Sequence, residues 1–167
     1  MMRIATTSGT LALLAGLLWA GAASAEWLGL GVMLGEPTGL SAKTWLDKTR
    51  ALDFGLAWTL SDDQDLHLHA DYLLHNRTLL AQSGVPGGLT FYYGVGGRLQ
   101  LRDDDDGRGR DNDDDKDRLG LRIPLGIAWT PPATPLDVFL EVVPVVDIIP
   151  DTEAGFNGAL GVRFWFK

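Results

Sequence analysis

The stretch Leu119-Gly120-Leu121-Arg122-Ile123-Pro124-Leu125-Gly126-Ile127-Ala128-Trp129 carries a large apolar side chain at every odd position and glycine, proline, alanine or arginine at every even one. A period of two marks an extended strand with unlike faces. The pattern recurs upstream, where Leu52, Phe54, Leu56, Trp58 and Leu60 alternate with Asp53, Gly55, Ala57 and Thr59, and Leu66, Leu68, Ala70, Tyr72 and Leu74 alternate with His67, His69, Asp71 and Leu73. Such strands build a sheet that is apolar on one side only. Closed on itself, it is either a soluble barrel with an apolar interior or a membrane barrel with an apolar exterior.

The residues between the apolar ones decide which. A soluble carrier would spread Lys, Glu, Thr and Gln over its polar face, whereas this face is rich in glycine and small residues that suit a narrow interior. The few long side chains among them, Lys43, Arg98, Arg122 and Arg163 against Asp53, Asp71 and Glu141, carry nearly balanced charge and can pair across a lumen. Turned outward into lipid, each Arg or Lys near the midplane would cost about 2–4 kcal/mol. The apolar row from Leu119 to Trp129 is therefore expected to face lipid.

The N-terminus agrees with export. Arg3, an apolar run over 11–20 and Ala23-Ser24-Ala25 before Glu26 form the three parts of a secretory signal peptide over 1–25. The mature chain, 26–167, is then one barrel domain. It has no cysteine, so a hydrogen-bonded ladder and not disulfides must hold it together. Without Arg3 it carries 13 Lys and Arg against 22 Asp and Glu, hence a formal charge of −9, which argues against a nucleic-acid partner.

Eight strands are predicted, over 27–34, 40–46, 51–60, 65–74, 89–101, 119–130, 136–148 and 156–166, most of them near the 9–11 residues a tilted strand needs to cross a bilayer. Short turn-rich pieces join them, as up-and-down antiparallel connection requires. Two connections are longer. The first, 75–88, is expected in the periplasm and exceeds the short turn usual there. The second, 102–118, holds nine Asp and five Lys or Arg among its 17 residues and is expected outside. On this topology Tyr72, Phe91, Tyr93, Trp129, Phe164 and Phe166 collect near the periplasmic rim, as interface-seeking aromatics do.

The chain ends Gly161-Val162-Arg163-Phe164-Trp165-Phe166-Lys167, and Gly161, Phe164 and Phe166 resemble the C-terminal signal by which the bacterial assembly machinery recognises outer-membrane barrels. It departs from that pattern in the added Lys167 and in Ala159. Together with Gly35-Glu36-Pro37-Thr38-Gly39, His69-Ala70-Asp71-Tyr72-Leu73, Tyr92-Tyr93-Gly94-Val95-Gly96-Gly97-Arg98 and Phe139-Leu140-Glu141, these residues give the mature chain the look of the small outer-membrane β-barrel proteins of Gram-negative bacteria. In plan it is similar to the eight-stranded OmpA/OmpX and OmpW class. The resemblance implies an all-β, antiparallel up-and-down transmembrane barrel in the outer membrane, monomeric and in contact with outer-membrane lipid, lipopolysaccharide and the assembly machinery. It implies a location and a fold more than an activity.

Chemical readings are weaker. His67, His69 and Asp71 share a face, but alternate strand residues stand about 6.8 Å apart while zinc ligands converge to about 2 Å, so the row is read as part of the lumenal network and no metal or cofactor is expected. The Asp-rich connection lacks EF-hand spacing, since Arg102 stands where the first ligand before Gly107 would be. It is read as a solvated loop with loose attraction for divalent cations near lipopolysaccharide. Ser41, Ser61, His67 and His75 are the residues available to a lipid A-modifying enzyme, and none has a recognisable nucleophile setting. The expected role is structural or surface-interacting, without catalysis and with the lumen plugged by charge. A lipid A-modifying enzyme and a narrow pore are the alternatives.

Overall fold

Alternation of apolar and small residues produces strands throughout the computed structural model, which describes residues 28–58, 66–101 and 117–166. The signal-peptide segment, Ser61 and residues 102–116 of the Asp-rich connection lie outside the described residues. The strands are β1 (Leu28–Glu36), β2 (Gly39–Trp45), β3 (Arg50–Trp58), β4 (Leu66–Asn76), β5 (Leu89–Leu101), β6 (Arg118–Arg122), β7 (Leu125–Trp129), β8 (Leu136–Ile149) and β9 (Glu153–Phe166).

These nine pieces make eight staves. Both β6 and β7 lie between β5 and β8, and the ladder runs through their junction in bonds from Gly94 N to Pro124 O at 2.9 Å and from Ile123 N to Pro144 O at 3.0 Å. The strand predicted over 119–130 is thus interrupted at Ile123 and Pro124, because proline brings no N–H to the ladder. The last strand starts at Glu153, three residues earlier than the sequence pattern suggests. Every neighbouring pair is antiparallel, and the ring closes where β1 meets β9, from Leu28↔Phe166 to Glu36↔Gly158. No sheet edge remains unpaired among the described strands, which is what a barrel needs in hydrocarbon.

The ends differ. At the loop end lie the β1–β2 and β8–β9 turns; at the terminal end lie Leu28, Phe166 and the connections 46–49, 77–88 and 130–135. The shortest of these is built on Asp47, whose Oδ1 accepts from Thr49 N and Arg50 N at 2.8 Å each while Oδ2 takes the Arg50 guanidinium.

The burial pattern is inside out. Leu121 and Val142 are each 53% exposed and Leu160 52%, whereas Arg122 is 0% exposed and Lys43 and Arg163 1% each. Water-soluble folds do the reverse. The outer wall is a continuous apolar belt, and the described structure is a transmembrane barrel with a charged interior.

Candidate functional site: the charged lumen

Side chains that point inward alternate with the belt residues, so the lumen is furnished by the minority face of every stave. Lys43, Asp53, His67, His69, Asp71, Arg98, Arg122, Glu141 and Arg163 all stand on that face, and the structure groups them into levels.

Nearest the terminal end, Arg163 of β9 reaches three strands at once. Its Nε donates to Ser41 Oγ at 2.8 Å, its Nη2 to Asp53 Oδ2 at 2.5 Å and its Nη1 to Asp137 Oδ2 at 3.4 Å. The guanidinium carbon lies 3.8 Å from the ring centroid of Phe139, a cation–π contact. Beside it Lys43 Nζ is 2.8 Å from His75 Nε2; an ammonium has no acceptor, so the imidazole accepts there. Trp45 and Tyr92 each present a ring 5.1 Å from that ammonium, and Trp165 stacks on Trp45 at 6.1 Å.

The middle level belongs to Arg122 of β6. Its Nε is 3.2 Å from both Asp71 oxygens and its Nη2 3.6 Å from Glu141 Oε1, while Tyr92 OH donates to Glu141 Oε2 at 3.0 Å. His69 Nε2 stands 4.0 Å from Asp71 Oδ2, and the His67 and His69 rings meet edge to face at 6.0 Å. Among the described residues, His67 Nε2, His69 Nδ1, His75 Nδ1 and both Arg122 Nη atoms have no hydrogen-bond partner in the protein. Buried polar atoms of this kind are ordinarily satisfied by internal water.

The third level faces the loop end. Arg98 grips Asp147 through Nε at 2.8 Å and Nη2 at 2.5 Å, and gives Nη1 to Asn157 Oδ1 at 3.0 Å. Arg118 Nη1 lies 3.3 Å from Glu153 Oε2 and 3.9 Å from Asp147 Oδ2. A cavity of about 630 Å³ opens here, lined by His67, Arg98, Gln100, Arg118, Asp147 and Asn157 among others. A second, of about 1110 Å³, opens at the terminal end against Trp45, Arg77, Asp137, Trp165 and the Pro131–Pro135 turn. Met33, Leu73, Phe139 and Val143 are buried and line neither mouth.

Glycine makes room for this furniture. Six lumenal glycines sit directly across the ladder from a bulky or charged partner: Gly29 from Trp165, Gly55 from His69, Gly96 from Asp71, Gly120 from Asp147, Gly126 from Tyr92 and Gly161 from Phe139. A Cβ on any of them would run into that same side chain. Each large group lies over the bare backbone of the neighbouring stave.

The sequence pattern alone leaves out Asp137, Asp147, Tyr92, Ser41, His75 and Asn157 as members of the network. Parity in β8 was the available signal, since Asp137, Glu141 and Asp147 are all odd-numbered and so share one face. The described Ser and His residues of the enzyme reading, Ser41, His67 and His75, all lie on the lumenal face and not on the lipid-facing wall. Gly161 lies beneath Phe139, while Phe164 and Phe166 pack edge to face at 5.0 Å on the outer wall. No group of three or more His, Cys, Asp or Glu able to hold a metal occurs among the described residues.

Comparison with protein-family models and with curated protein sequences returns no match. Among solved structures, the chain is similar to the N-terminal β-barrel domain of Pseudomonas aeruginosa OprF, with a TM-score of 0.56 at 18% identity over 84% of this chain and 96% of that one. Yersinia pestis outer membrane protein Ail matches with a TM-score of 0.43 at 11% identity over 84% and 97%. The fold is that of the eight-stranded bacterial outer-membrane barrels.

Proposed function

We propose that the protein resides in the bacterial outer membrane as a barrel closed by its own lumenal charges, with a structural or surface-interaction role and no catalysis. The observation that carries this reading is the three levels of buried arginine–carboxylate pairs that fill the lumen, Arg163 reaching from β9 to β3 and Arg122 and Arg98 each bridging staves two apart, with Arg122 wholly buried. Groups that tie together staves not paired in the ladder rigidify a barrel and fill the small volume that eight staves enclose. Phospholipid and lipopolysaccharide are the partners of the belt, and the assembly machinery is the partner of Gly161, Phe164 and Phe166. The protein reconstituted into a planar bilayer should give no sustained single-channel steps; steady conductance would replace this reading with the pore. Lipid A from cells with and without the protein should have the same mass spectrum, and an added or lost acyl chain would establish catalysis.

A further inference from the structure

We infer that the β4–β5 connection, residues 77–88, is a strap that inserts its apolar side chains among phospholipids at the terminal end of the barrel. The inference rests on the membrane-barrel reading and goes beyond it, because the connection lies outside the staves that cross the bilayer. Its length needs a reason: the other two connections at this end span 46–49 and 130–135, while this one takes 12 residues.

The segment is built, not slack. Asn76 Oδ1 accepts from Thr78 N and Leu79 N at 3.0 Å each and from Thr78 Oγ1 at 2.8 Å, which starts a tight turn continued by Ala81 N to Thr78 O at 3.3 Å and Ser83 N to Leu80 O at 3.1 Å. Gly87 and Gly88, at φ +87° and +83°, bend the chain back, and Gly88 N closes on Val85 O at 3.0 Å. Trp129 fastens the far side, its Nε1 donating to Pro86 O at 2.9 Å. Trp129 ends the lipid-facing row that holds Leu125 and Ile127, so this side of the strap is tied to the outer wall, while at its start Arg77 lies 5.5 Å over the Trp45 ring at the rim of the lumen.

What the strap presents is apolar. Leu79 is 63% exposed and Val85 37%, and neither lines the terminal-end mouth, which takes only Arg77 and Gly87 from this segment. Residues 77–88 contain no acid and one arginine, against nine Asp in the 102–118 connection. Exposed apolar side chains on a segment fastened to Trp129, at the end of the belt, suit the bilayer interface, and the missing negative charge suits an anionic headgroup surface.

The absence of native cysteine allows single reporters at Leu79→Cys, at Leu121→Cys on the belt and at Lys48→Cys in an aqueous turn. Each, labelled with an environment-sensitive fluorophore, is read in phosphatidylethanolamine/phosphatidylglycerol vesicles with brominated lipid or aqueous iodide as quencher. Position 79 should emit to the blue of position 48 and lose intensity to brominated lipid as position 121 does. Quenching of position 79 by iodide alone, as at position 48, overturns the strap. A blue shift that disappears as protein is diluted in lipid assigns Leu79 to contact with a second copy and overturns it equally. If position 121 itself ignores brominated lipid, the barrel reading fails first and the strap with it.

Discussion

Arg163 rests its guanidinium 3.8 Å from the centroid of the Phe139 ring, and that ring in turn lies over Gly161, two residues before Arg163 on the same stave. One residue thus takes its floor from β8 and its carboxylates from β3 and β8, with the Ser41 hydroxyl of β2 completing the shell. Staves far apart in the ring are joined through a single side chain.

Removing that side chain takes from Asp53 and Asp137 the guanidinium they share and leaves the neighbouring Lys43 as the nearby cation. Breaking a buried pair from one side typically costs about 3–5 kcal/mol, so Arg163→Met should lower the unfolding free energy read from urea titration in lipid vesicles by that amount, with the midpoint falling by the same quantity divided by the m-value. Asp53→Leu added to Arg163→Met should cost less than the two single changes summed, because it removes one of the stranded carboxylates. A loss under about 1 kcal/mol for Arg163→Met would mean that the network contributes little to stability.

The glycine seats separate steric from conformational effects. Gly126→Ala sets a methyl against the Tyr92 ring and should displace its hydroxyl from Glu141, a cost of about 1–3 kcal/mol for overpacking. Gly97→Ala is the control, on the outer wall with Gly120 O as its nearest neighbour at 3.7 Å, and should stay within about 0.5 kcal/mol of the parent. Equal losses at the two positions, measured by the same urea titration, would show that glycine serves backbone freedom here and not the seating of side chains.

Much of this was legible in the chain and some was not, for physical reasons. The row from Leu119 to Trp129 declares its two faces because every even residue is small or charged. In β8 the run Val142, Val143, Pro144, Val145, Val146 is apolar on both faces and blurs the period of two, so that only the shared parity of Asp137, Glu141 and Asp147 marks them as lumenal. Pairing was further out of reach: Arg122 of β6 meets Asp71 of β4 because Gly96 of β5 stands opposite both, and those two registers run through long connections, so the alternation within a single segment does not encode them. Lysine and arginine could be placed inside by the cost of lipid, but their partners could not be named.

The β2–β3 turn gives a pH dependence whose sign follows from its geometry. The Thr49 N–H first, and then the Arg50 side chain, hold the Asp47 carboxyl well below its ordinary value near 3.8. A folded-state value below the unfolded one means the unfolded chain takes up the proton more readily, so the turn's contribution is complete above the ordinary carboxylate value and declines as pH falls through and below it. Asp47→Ala should therefore lower the urea midpoint at pH 7, and its difference from the parent should narrow once the pH drops below the ordinary value. Because Asp47 lies in an aqueous connection, added salt should weaken the Arg50 part of the effect and leave the Thr49 hydrogen bond in place. A mutant deficit that is constant from pH 7 into the acid range would show that Asp47 holds the turn by shape alone and that its charge plays no part.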